Sequence, residues 1–119
     1  MSTLSTKTAS SPESHWATLC VVTTTVGHSG EAEDMARALV AAKAAACVQT
    51  ERITSYYEWD GVLQSLPEWR LVCKTLPEAL QRLTKLMRDQ HSYEVPQITM
   101  RTERCLSDYA KWLKQQVQA

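Results

Sequence analysis

The stretch from Ile53 to Thr75, ITSYYEWDGVLQSLPEWRLVCKT, decides the fold, because it holds two extended runs joined by a tight-turn signal. In its first part Ile53, Ser55, Tyr57 and Trp59 alternate with Thr54, Tyr56 and Glu58, and a β-branched and aromatic run of period two predicts a strand. Asp60-Gly61 follows, a pair that supplies the positive φ a two-residue hairpin demands, so the chain doubles back. From Trp69 to Thr75 a second run, WRLVCKT, alternates Trp69, Leu71 and Cys73 against Arg70, Val72 and Lys74. Pro67 has no N–H to give a ladder and predicts an edge or a bulge, so one half of the hairpin is expected to be regular and the other kinked.

Upstream of the hairpin, Trp16 to Thr25, WATLCVVTTT, is continuously hydrophobic and β-branched, as a central strand covered on both faces would be. Gly27-His28-Ser29-Gly30 interrupts it. Ser29 is expected to cap a helix that carries Glu31, Glu33 and Asp34 at its positive end and runs to about Ala44, with Met35, Leu39 and Ala42 on its apolar face. Cys47-Val48 then leads into the hairpin.

Downstream, Thr75-Leu76-Pro77-Glu78 has the form of a capping box with Pro in the first turn. The helix it predicts carries Leu76, Leu80, Leu83, Leu86 and Met87 at three- and four-residue steps and ends near Gln90. Pro96 excludes helix at Val95, and Ile98, Met100 and Thr102 share one face of a fourth strand. Ser107 is expected to cap a last helix with Tyr109, Trp112, Leu113 and Val117 inward.

Strand–helix–strand thus occurs twice, which predicts an α+β, ferredoxin-like (βαβ-βαβ) sandwich with an additional C-terminal helix. Right-handed crossovers put both long helices on one face of one antiparallel sheet. The extra helix is too small to cover the other face, so Tyr57, Trp59 and Trp69 leave aromatic strand surface that self-association would bury.

Composition narrows the function. The 119 residues suit one domain over 16–119, preceded by a hydroxyl-rich 1–15 that predicts a disordered tail dispensable for folding. Thirteen basic residues balance thirteen acidic ones, which gives no field to draw in a nucleic acid. The longest apolar stretches, such as Ala38 to Val48, fall far short of the roughly 20 residues of a membrane span, so no membrane partner is expected. Cys20, Cys47, Cys73 and Cys105 form no CxxC pair and follow no secretory segment, which predicts reduced thiols and a cytoplasmic location.

Ala45-Ala46-Cys47-Val48, Ile53-Thr54-Ser55-x-Tyr57-x-Trp59-x-Gly61, Glu68, Lys74-Thr75, His91-x-Tyr93-Glu94-Val95-Pro96 and Tyr109-x-x-Trp112 follow in an order and spacing that resemble the CutA divalent-cation-tolerance family, over about residues 17 to 117. The resemblance implies a PII-like homotrimer with strands paired between subunits, a part in the response to metal ions, and no enzymatic activity. It also implies a divalent metal such as copper as ligand, not required for folding. Copper-binding bacterial members carry a cysteine late in the first strand and two adjacent histidines before the Tyr-x-x-Pro segment; this chain has Thr24 and Gln90-His91 at those places. Gln97 likewise replaces a usual acidic residue, and copper is expected to bind weakly.

His91 and Cys47 are the candidate metal ligands, and each has a plainer reading. A histidine closing a helix is favoured by the helix dipole. A cysteine after three alanines packs well as a small hydrophobe. Glu68 and Lys74 flank one strand and suit a solvated face as well as a site, so no acid/base role is assigned to them. Two alternatives stand beside metal homeostasis. One is a PII-like sensor binding a nucleotide or other small molecule in the cleft between subunits, although three glycines leave no phosphate-cradling loop. The other is a hydrolase or thiol enzyme, which would need a cysteine of depressed pKa beside a histidine.

Overall fold

Val21, Val22 and Val26 have no exposed surface, which places the first strand at the centre of the fold. The computed structural model describes residues 15–119; apart from His15, the tail expected over 1–15 lies outside the described residues. The elements are β1 (Trp16–Val26), α1 (Ser29–Ala41), β2 (Cys47–Trp59), β3 (Val62–Thr75), α2 (Leu80–Gln90), β4 (Ile98–Leu106) and α3 (Ser107–Gln116), with a 3-10 turn over Pro77–Ala79 ahead of α2. The sheet order is β2-β3-β1-β4, with every neighbouring pair antiparallel. This is the α+β, ferredoxin-like arrangement expected from the order of strands and helices.

Alternation along β1 divides the core. Val22 and Val26 pack with Met35 and Leu39 of α1 and Leu83 and Met87 of α2, together with Leu71 and Cys73 of β3. Leu19 and Val21 point the other way and meet Leu113 of α3, with Val72, Cys105, Tyr109 and Trp112 around them. Each such aliphatic side chain fully withdrawn from water contributes about 1.5–3 kcal/mol. Strand β1 therefore reads as continuously hydrophobic because helices cover both of its faces.

The chain leaves α1 through a Schellman turn. The Ala44 N–H donates to the Leu39 carbonyl and the Lys43 N–H to the Val40 carbonyl, with Lys43 at φ 58° where glycine is usual. Arg82 of α2 adds a bond from Nη2 to the Ala42 carbonyl at 2.7 Å. Helix α1 thus ends at Ala41, three residues before the expected Ala44, and the following Ala44 and Ala45 are buried.

Three expected caps are not made as the sequence suggested. Ser29 is the first helical residue of α1, and the N-cap position belongs to His28 without a side-chain bond. Thr75 forms no capping box: it is fully buried at the end of β3 and its hydroxyl donates to the Ala44 carbonyl at 2.8 Å, so tertiary burial redirects a local signal. Ser107 likewise starts α3, one residue after the N-cap Leu106.

The hairpin is longer and more regular than expected. Asp60 at φ 51° and Gly61 at φ 75° form the primed two-residue turn. From Trp59↔Val62 to Cys47↔Lys74 the register runs one to one with no bulge, so the expected kinked half is absent. Outward from Trp59↔Val62, every second pair is hydrogen-bonded, and Thr54↔Pro67 falls on a pair that is not. The nitrogen of Pro67 therefore faces away from β2, where its missing hydrogen costs no ladder bond. Strand β1 pairs with β3 only as far as Val26↔Trp69, so the hairpin projects beyond it as a two-stranded arm about 24 Å long.

Candidate functional site

Where the arm leaves the sheet, the segment between α2 and β4 folds back across the end of β1. His91 closes α2 in extended conformation, and its imidazole reaches β1. Nδ1 accepts the Tyr93 N–H at 3.1 Å, which puts the ring proton on Nε2. Nε2 lies 3.0 Å from both the Thr25 carbonyl and the Thr24 hydroxyl. Thr24 spends its own hydrogen on the Gln97 carbonyl at 2.6 Å, so towards His91 it can only accept. Both imidazole nitrogens are thereby engaged, and His91 ties the α2–β4 segment to β1.

Beside this tie an open cleft of about 790 Å³ lies between the arm and the segment. Tyr57, Trp59, Gln64 and Glu68 form one wall, Ser92 to Val95 with Gln97 the other, and Thr25 the floor. The register explains the first wall: Tyr57↔Gln64 and Ile53↔Glu68 are facing pairs on the sheet face opposite α1 and α2. Tyr93 spans the gap, its hydroxyl donating to Glu68 Oε2 at 2.8 Å. Burial, and then that bond to Glu68, push the Tyr93 phenol far above its ordinary pKa, so it stays a donor. Glu31 holds the second wall from α1 by accepting the Ser92 N–H at 3.1 Å and the Ser92 hydroxyl at 2.9 Å. Gly27 gives Tyr93 room, since a Cβ there would stand 3.1 Å from its hydroxyl.

Cys47 lies elsewhere. It opens β2 opposite Lys74, which pairs in turn with Val21, three residues along β1 from the Thr24 that His91 touches. The two candidate ligands are not brought together, and among the described residues no group of three or more His, Cys, Asp and Glu side chains could hold a metal ion. A soft divalent ion wants three or four nitrogen or sulfur donors. The residues at the His91 end offer an imidazole with both nitrogens committed and a hydroxyl, so they do not fit such an ion. Of the thiols, burial and then Cys47 push Cys73 up to about 12. Burial raises Cys20 and Cys105 as well, so none of these three is a ready thiolate. Lys74, the other strand residue considered from sequence, lies 5.9 Å from the centre of the Tyr109 ring.

The sequence reading missed the Tyr93–Glu68 bond and the Thr24–His91 tie. Tyr93 and Glu68 both stand among the residues that carry the family resemblance, but nothing local shows that a loop after α2 will fold onto β3.

A four-stranded antiparallel sheet, two helices on one face, a third on the other and a projecting hairpin define a ferredoxin-like domain with a cleft at the root of its arm. The chain belongs to the CutA1 divalent ion tolerance protein family, whose pattern matches residues 20–116. A CutA homologue of Xenopus laevis is 42% identical over 84 residues, covering 69% of this chain and 56% of that protein, so the chain spans little more than half of that relative's length. The divalent-cation tolerance protein CutA of Thermotoga maritima is 31% identical over 100 residues, covering 83% of this chain and 99% of that one. Among solved structures, CutA of Synechococcus elongatus superposes with a TM-score of 0.82 at 33% identity, over 86% of this chain and 92% of that one.

Proposed function

We propose that the protein is a homotrimeric, non-enzymatic member of the metal-ion response, cytoplasmic, that meets copper or another divalent ion only weakly. The family match over residues 20–116 carries the metal-response reading. The trimer is supported by the arm, where Tyr56, Trp59, Val62 and Leu63 are 70%, 68%, 59% and 72% exposed. Such a run of apolar side chains on a two-stranded arm with a free edge asks for cover, and a second and third copy can supply it in a closed ring. No helix among the described residues is long and apolar enough to cross a membrane. His91 and Cys47 remain the donors a soft ion would meet, each singly.

Equilibrium dialysis of the whole chain against copper and other divalent ions, with His91→Ala alongside, tests this reading. Copper should bind above the micromolar range in order of magnitude. A tight stoichiometric complex abolished by Cys47→Ser would overturn it. The alternative of a PII-like sensor gains a cleft, but among the described residues no Lys, Arg or His lines it, which counts against a nucleotide.

A further inference from the structure

We draw no further inference here: the strongest candidate, the exposed apolar stripe of Trp16, Met100 and Leu106 on one face of the sheet along the free edge of β4, carries nothing because nothing in the structure shows what covers it.

Discussion

Thr24 and His91, separated by 67 positions in the chain, meet with the Thr24 hydroxyl 3.0 Å from the imidazole Nε2. The family resemblance implies a cysteine at the first of these positions and a histidine at the second, and here a threonine meets the histidine. Replacing Thr24→Cys together with Gln90→His should raise copper affinity by at least about tenfold, because it adds a thiolate and a second imidazole beside His91. Dialysis of the double variant against the unaltered protein measures it.

The same tie has a stability consequence. His91→Ala would take from the Tyr93 N–H and the Thr25 carbonyl their imidazole partner, while the Thr24 hydroxyl keeps its bond to the Gln97 carbonyl. Each group stranded away from water costs about 1–3 kcal/mol, partly recovered by water since the site is only half-buried. Denaturant titration should show a loss of about 1–3 kcal/mol.

Leu63 lies near the tip of the arm and is 72% exposed. On the proposed trimer, Leu63→Asp should leave the fold of each chain intact and shift sedimentation at micromolar concentration towards monomer, since a buried unpaired carboxylate opposes the contact. Trp59→Ala should lower stability by removing a large ring from the contact that the proposed trimer makes. A folded species of about 13 kDa from the unaltered chain would remove the trimer from the account.

Alkaline pH should destabilise the fold through Cys73, whose ordinary value of 9.0 is pushed up to about 12, first by burial and then by Cys47. The unfolded chain releases this proton above pH 9 while the folded chain keeps it to about 12. Stability is therefore fully present below 9 and is lost between 9 and 12, with a slope of up to about 1.4 kcal/mol per pH unit. Cys73→Ala should flatten that part of a stability–pH profile, while Tyr93, raised in the same sense, contributes at still higher pH.

Lys43 holds φ 58° at the position that ends α1. Lys43→Gly should stabilise the protein by about 1 kcal/mol, because glycine takes the left-handed conformation without a Cβ clash and the two turn bonds remain. A thermal or denaturant midpoint that fell on substitution would show that the Lys43 side chain compensates its own strain.

What the sequence determined by itself was the order and kind of the elements. Hydrophobic periodicity and the Asp60-Gly61 pair are local properties, written within a few residues of where they act, and they predicted the strands, the helices and the tight turn. It also contained the residues that carry the family resemblance. Tertiary structure decided what those local signals could not reach. Thr75 reads as a helix cap, yet burial between elements turns its hydroxyl to Ala44, 31 residues away. Pro67 reads as a kink, yet the register set by the turn points its nitrogen off the ladder and keeps the hairpin straight. Cys47 and His91 are separate candidate ligands in the sequence, and only the strand order shows that they stand apart. The cleft lies in no single stretch at all: Tyr57 and Glu68 come from the arm and Tyr93 from the loop after α2, and only the packing of that loop across β1 closes the distance between them.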